Sequence, residues 1–269
     1  MLRIERHDDV TRLHFSTWRS RRAGYSVSCF AVRGVVVDAA FDDAGPELLA
    51  WIRANKPEGV IVTHAHDDHG GNAELLARSG VPMWMAPDTE KLLGTPQTRG
   101  WHRKWAWGGM PLLQSAFVRF EPRGLEIIDA RGHSPDHYVV WDPQTETVFA
   151  ADLFLGVKVR VAHPVHREDV RQQIGSVRKI AAMKPRRVFD AHRGLLKDGV
   201  ALLNAKADWI EETVGKIDQR IDAGQSDGQI AREVLGKETL FTYVTMFDWS
   251  RANFVASVRQ THGARAASR

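Results

Sequence analysis

The chain has 269 residues, 43% of them hydrophobic, with a formal net charge of +4. That is enough chain to bury one large core. No apolar run approaches the ~20 residues that a membrane helix needs, and the lone Cys29 rules out an intrachain disulfide and argues against a Cys-based zinc centre or nucleophile. The small positive excess is compatible with anionic ligands or nucleic acid and demands neither. The opening Met1–Asp9 has no apolar signal core, so the expected location is the cytoplasm.

Strand-like runs at Thr11–Ser16, Ser26–Val32 and Val35–Ala39 open the chain, with Cys29 as a buried strand residue. A helical pattern over Pro46–Asn55 stops before Pro57. Glu58–Thr63, built on Val60-Ile61-Val62, then reads as a short buried strand. Directly after it, His64, His66, Asp68 and His69 fall within six positions. Residues two apart in an extended chain point the same way, so His64 and His66 can reach one ion. Asp68 and His69, beyond the strand end, can turn towards a second, and Gly70-Gly71 lets the backbone turn closely. A helix at Asn72–Arg78, a strand at Val81–Met85 and a short helix opening on Pro87 follow.

Residues 94–114 carry Trp101, Trp105 and Trp107 interleaved with His102, Arg103 and Lys104, and then Gly108-Gly109. Two readings stay open. One is a loop or lid that offers aromatic faces and positive charge to a substrate. The other is a helix whose Trp101 and Trp105, four apart, pack on the core. Stacking of nucleic-acid bases is a third use of such a pattern. A second β-rich block spans about 117–151, and Arg167–Met183 reads as a helix before a last strand at Arg187–Phe189. His133, Asp152 and His192 each lie just beyond an apolar run of this half, where a sheet can aim them. His137 reads as a structural residue or a partner of a ligand, and His163 and His166 as pocket-edge residues outside the ligand set. From 199 onward, helical patterns at Val200–Ile221, Gln229–Leu235 and Ser250–Gln260 predict a helical extension (199–269) on a main domain (1–198). The aromatics of Phe241–Trp249 are expected in the core between the two, the alternative being that they help line a pocket.

His-x-His-x-Asp-His at 64–69, followed by His133, Asp152 and His192, resembles the metallo-β-lactamase superfamily over roughly residues 25–195. Periodicity alone supports a mixed α/β class; the resemblance implies a four-layer αββα sandwich with a C-terminal helical extension. It also implies that His64, His66 and His133 hold one metal, that Asp68, His69 and His192 hold another, and that Asp152 bridges both. Asp38, ending Val35-Val36-Val37, matches the acidic residue that braces the ligand loop in this family; an ordinary turn residue is the alternative. The chain departs from the family pattern in Asp190-Ala-His192-Arg-Gly, where Gly-His-Gly is commoner, and in Pro135-Asp136, where many relatives have Pro-Gly.

The implied activity is hydrolysis by a hydroxide shared between two metals, with Asp68 orienting it and moving a proton to the leaving group. Zinc is the first choice over iron or manganese. His66 stands where redox di-iron relatives carry an acidic residue, which favours hydrolysis, and a mononuclear iron dioxygenase would not need the second ligand set. The expected substrate is a small molecule with an ester-like bond: a thioester, lactone or β-lactam. The alternative is a phosphodiesterase or ribonuclease acting on nucleic acid, which the basic balance and the Trp/Arg/Lys stretch favour. Against it, the interval from His69 to His133 has no room for the inserted domain of nuclease relatives. A binder without activity is disfavoured by the completeness of the ligand set.

Overall fold

Runs such as Val35-Val36-Val37 and Val60-Ile61-Val62 lack polar alternation because their strands are covered on both faces. The computed structural model describes residues 1–22, 24–96, 100–163 and 168–266, with side chains to 262. Its contacts divide the chain into two units. The first comprises Met1–Ile128, Asp136–Asp152 and Arg186–Leu196. In it, β1 (Leu2–His7), β2 (Val10–Phe15), β3 (Val27–Val32), β4 (Val35–Val37), β5 (Gly59–Val62) and β6 (Met83–Met85) pair in that order. Strands β1 to β4 are antiparallel, whereas β4, β5 and β6 are parallel. Parallel pairing needs long return connections; here α2 (Gly45–Asn55) and α3 (Ala73–Arg78) supply them, α1 (Trp18–Arg22) having come earlier. The second sheet runs β11-β10-β9-β8-β7, from β7 (Glu126–Asp129), β8 (Tyr138–Asp142), β9 (Thr147–Phe149), β10 (Arg187–Asp190) and β11 (Gly194–Leu195), with β9 and β10 parallel.

The two sheets meet through one residue set. Val35, Val37 and Ile61 point inward with Phe30 onto Val140, Phe149 and Phe189, and the Phe30 ring centroid lies 5.5 Å from Phe149 and 5.2 Å from Phe189. The alternate residues Val36, Val60 and Val62 face Leu48 and Ile52 of α2 and Leu76 of α3. Each such buried side chain stabilises the fold by about 1.5–3 kcal/mol. Arg33 in the β3–β4 turn donates from Nε to Asp142 at the end of β8, 2.8 Å away, a polar tie from one sheet to the other.

Several expectations change. β1 is an additional strand: Leu2 and Ile4 alternate with Arg3 and Glu5, a half-exposed edge pattern that is weak in the sequence. The second β-rich block begins at 126, not 117, since Arg119 contributes only an isolated bridge to Met83. After α4 (Pro87–Leu93), the Trp-rich stretch forms α5 (Trp101–Trp107), but its buried face is Arg103, Ala106 and Trp107. Trp101 and Trp105 are 53% and 38% exposed, which corrects the reading that packs them on the core. Trp105 rests edge-on against Trp18, itself exposed on α1.

The second unit comprises Asp129–Pro135, Leu153–Pro185 and Lys197–Arg269, so the contacts partition the chain elsewhere than at 198/199. It holds α6 (Val170–Ala182), N-capped by Asp169, then α7 (Gly199–Asp222), α8 (Asp227–Ile230) running into a π-helical turn at Ala231–Leu235, α9 (Leu240–Val244) and α10 (Arg251–Ala266). Val170, Ile210, Val214, Ile217, Ile230, Phe254 and Val258 form its core. Phe241 meets Trp249 edge to face, but Tyr243 and Phe247 are exposed, so the 241–249 aromatics are not uniformly core as expected. Among the described residues, no helix is long and apolar enough to cross a membrane.

Candidate metal centre

Parallel strands deliver the functional residues to one end of their sheets. β4 ends at Val37 and delivers Asp38, and its parallel neighbour β5 ends at Val62 and delivers Thr63 and His64. In the second sheet, β9 and β10 run parallel and are followed by Asp152 and His192. The loop 64–70 turns on itself, with His66 O accepting from the N–H groups of His69 (3.0 Å) and Gly70 (2.7 Å). Gly71 is needed next, because a Cβ there would collide with the carbonyls of Asp67 and Ala40.

All of residues 64–69 are buried, an arrangement that costs heavily for His and Asp unless they are paired or hold a cation. Within the first unit, Asp68, His69, Asp152 and His192 offer ligand atoms within 4.8 Å of one another, and His64, His66 and Asp152 do the same, so Asp152 is common to both groups. Asp152 Oδ1 lies 3.1 Å from His69 Nε2 and 3.0 Å from His192 Nε2, and Asp68 Oδ2 is 3.9 and 3.6 Å from the same two nitrogens. Six of the seven expected ligands are thus gathered in one unit. The seventh, His133, is buried on Asp129–Pro135, a segment of the second unit held by Asp169 N–H donating to Gly132 O (2.8 Å).

Three of these imidazoles have Nδ1 tied elsewhere, which turns Nε2 to the cluster. His69 Nδ1 donates to Asp38 Oδ2 at 2.8 Å. His192 Nδ1 donates to Ser26 O at 2.7 Å. Thr63 donates its hydroxyl to Asp38 Oδ1 (2.8 Å) and so accepts from His64 Nδ1 at 3.0 Å. Asp38 also accepts from Thr63 N–H and sits at φ 70°, so it braces the ligand loop as expected; it is not an ordinary turn residue. Outer partners of this kind fix tautomer and ring direction for metal ligands.

The electrostatics divide the imidazoles: His64 is held neutral, whereas His69 and His192 are held towards the protonated form. Burial, with His69, His66 and His137 beside it, holds the His64 pKa well below its ordinary value, the neutral form that a metal needs. Burial acts the same way on His69 and His192, but there Asp152 and Asp68 outweigh it, with Asp38 adding to the effect on His69. His69 is held well above its ordinary value and His192 is raised to about 9. Asp68 is raised by burial and by Asp152 and Asp67, against the lowering pull of His69 and His192. Once a cation displaces the protons of His69 and His192, imidazole nitrogens beside two buried carboxylates suit a divalent ion such as zinc, iron or manganese.

Residues that sequence reasoning missed surround this cluster. Asp67, between His66 and Asp68, makes a buried pair with Arg103 of α5, whose guanidinium stacks 4.9 Å from the Trp107 ring centroid. Trp107 also meets Tyr25 edge-on at 5.3 Å, so its faces are engaged inside the protein while Trp101 and Trp105 remain outside. A second acid inside the ligand loop, beside Asp68, was the available signal for a buried cation partner. His137 Nε2 accepts from Asp152 N–H at 3.2 Å, a backbone contact and not the donation to a ligand side chain that was the alternative to a structural role. His163 is buried, 3.4 Å from Asp248 in the second unit, and His166 lies outside the described residues.

Residues 22–192 match the family described as the metallo-beta-lactamase superfamily. The chain belongs to that superfamily. The protein named "Probable metallo-hydrolase YybB" of Bacillus subtilis is 24% identical over 166 residues, 58% of this chain and 74% of the relative. A beta-lactamase-like protein 2 homolog of Caenorhabditis elegans is 24% identical over 167 residues, 56% of this chain and half of its own length. Among solved structures, the metallo-beta-lactamase FIM-1 from Pseudomonas aeruginosa in its mono-zinc form aligns with a TM-score of 0.60 at 18% identity, covering 78% of this chain and 95% of the other. A metallo beta lactamase from Hirschia baltica aligns at 0.58 and 20%, covering 78% and 97%. The chain therefore has the αββα metallo-β-lactamase fold with additional C-terminal helices, and with its His/Asp cluster it is a metallo-hydrolase of that fold.

Proposed function

We propose that this metallo-hydrolase is dinuclear, uses zinc, and hydrolyses a small ester-like bond: a thioester, a lactone or a β-lactam. The observation that carries the reading is the sharing of Asp152 between two ligand groups, His64/His66 and Asp68/His69/His192. The family pattern adds His133 to the first group. When bound, such ions supply a water whose pKa falls from about 15.7 to about 7 and positive charge for the oxygens of the reacting bond.

The chain's own groups do the rest. Asp38, Thr63 and Ser26 hold His69, His64 and His192 in the tautomer that presents Nε2. Asp152 joins the two ligand sets and cannot be lost without uncoupling them. Asp68 is the candidate proton carrier: it lies 3.6 and 3.9 Å from the cluster nitrogens of His192 and His69, and burial beside Asp152 and Asp67 raises its pKa, the direction that favours taking up a proton. It would receive the proton of the attacking water and pass it to the departing alkoxide, thiolate or amine. Trp101 and Trp105 offer exposed aromatic faces for the apolar part of a substrate, and Trp107 supports them from inside.

The same exposed tryptophans, with Trp18 under the Arg22 guanidinium at 5.5 Å, favour a second reading: a phosphodiesterase that stacks nucleic-acid bases. One panel separates the two. Metal-loaded protein is assayed on thioesters, lactones, β-lactams and phosphodiesters across a salt series, with metal content by elemental analysis. The first reading expects about two equivalents of metal and salt-insensitive turnover of a neutral ester-like substrate. Turnover confined to phosphodiesters, with affinity falling steeply as salt rises, replaces it by the second. One metal equivalent or none removes the dinuclear site.

A further inference from the structure

The segment after Pro135 is pinned to the ligand loop at two places and to Asp152 at a third. Asp136, 1% exposed, accepts the N–H of Ala65 on its Oδ2 at 2.8 Å. Tyr138 N–H donates to Thr63 O at 3.1 Å. Between them, His137 Nε2 accepts the N–H of Asp152 at 3.2 Å. Consecutive side chains therefore reach in two directions, one to the peptide joining His64 to Ala65 and one to the backbone of the shared carboxylate. The first peptide is a rigid plane; holding it sets the Cα–Cβ direction of His64 and, one dihedral pair further, that of His66. For His137 to accept on Nε2, its ring proton must sit on Nδ1, which commits Nε2 to the backbone and not to an ion.

A buried carboxylate is an expensive acceptor for a backbone amide if only the fold is at stake. Many members of the superfamily carry Gly after this Pro, so the turn does not need a carboxylate to form. A charged acceptor does make a shorter and stiffer bond than a neutral one. We propose that Asp136 and His137 are positioning residues that set the spacing between the His64/His66 pair and Asp152, and through it the affinity of the cluster for its first metal ion. The inference rests on the reading of this cluster as a metal site.

Cobalt(II) is the probe, because its visible absorption reports ligand geometry without turnover. Metal-free wild type, Asp136→Ala, Asp136→Gly, Asp136→Asn and His137→Gln are titrated with Co²⁺, and the melting temperature of each metal-free protein is recorded separately. Asp136→Ala and Asp136→Gly should bind the first Co²⁺ about tenfold or more weaker and with a changed visible band. His137→Gln retains an accepting oxygen and should stay within about threefold of wild type, and Asp136→Asn, whose accepting oxygen is neutral, should fall between wild type and Asp136→Ala. Gly supplies the test should the Ala variant not fold. Wild-type affinity and spectrum in Asp136→Ala or Asp136→Gly overturn the proposal whatever the melting temperature, as does Asp136→Asn falling as far as Asp136→Ala. A wild type that takes up no cobalt instead overturns the metal-site reading beneath it.

Discussion

Asp38 shows how much one side chain can organise. Its two oxygens take the Thr63 N–H and hydroxyl on one side and the His69 imidazole on the other, so one buried carboxylate orients ligands of both proposed ions. Its φ of 70° is one that Asp tolerates better than most residues. Asp68 differs in kind, since it is both close to the cluster nitrogens and raised in pKa. Asp68→Ala is expected to lower kcat by about 10²–10⁴, with a smaller change in KM, in steady-state assays on the substrate that the panel identifies. Near-normal kcat with unchanged metal content would remove the proton role. At this scale the sequence and its family resemblance were informative about grouping: His64, His66 and Asp152 lie together, as do Asp68, His69, Asp152 and His192. The sequence was silent on what holds them. Asp67 could not be told from a solvated loop acid until Arg103, from a helix 36 residues away, was found against it.

Among the elements, strands were more legible than the faces of helices. β4 and β5 are continuous apolar runs, and such runs admit few readings once Gly and Pro bound them. In α5, Trp101, Trp105 and Trp107 look alike in sequence, yet only Trp107 is buried, because the helix is turned by the Asp67–Arg103 pair and by Tyr25. β1 was missed because an edge strand need bury only part of one face. The tie between sheets is testable at this level. Burial alone would raise the Asp142 pKa, but the Arg33 guanidinium, the Thr145 hydroxyl and the Gln144 N–H together hold it below the ordinary 3.8. A carboxyl lowered in the folded state contributes stability above its unfolded pKa and loses it as pH falls through the folded value. Asp142→Ala should therefore cost about 2 kcal/mol at pH 7 in urea denaturation, and the difference from wild type should shrink as pH drops below 3.8. An equal difference at pH 7 and pH 3 would show that the ion-paired carboxylate is not its source.

For the molecule as a whole, the candidate metal cluster links stability to pH. Without metal, the raised His69 and His192 carry protons at neutral pH and are stabilised by Asp152 and Asp68. A His raised in the folded state contributes fully below its unfolded value of 6.5 and loses that contribution as pH rises through the folded value, about 9 for His192. A metal must displace these protons, so its binding strengthens with rising pH. The metal-free protein should melt progressively lower between pH 6.5 and 9, the zinc-loaded protein should not follow it, and the gap between their melting temperatures should widen with pH. A gap independent of pH, with no proton release by calorimetry in buffers of different ionisation enthalpy, would contradict the charge states assigned to the two imidazoles.

By itself the sequence showed the His64–His69 run directly after an apolar strand, because that is a short-range fact, and the family resemblance supplied His133, Asp152 and His192 as its expected partners. Tertiary structure decided which groups support the donors. Asp38 reaches His69 across 31 residues, and Asp136 reaches Ala65 across 71. The first contact arises because the parallel strands β4 and β5 end side by side, the second because the two sheets pack face to face, and no local pattern of polar and apolar residues carries either pairing.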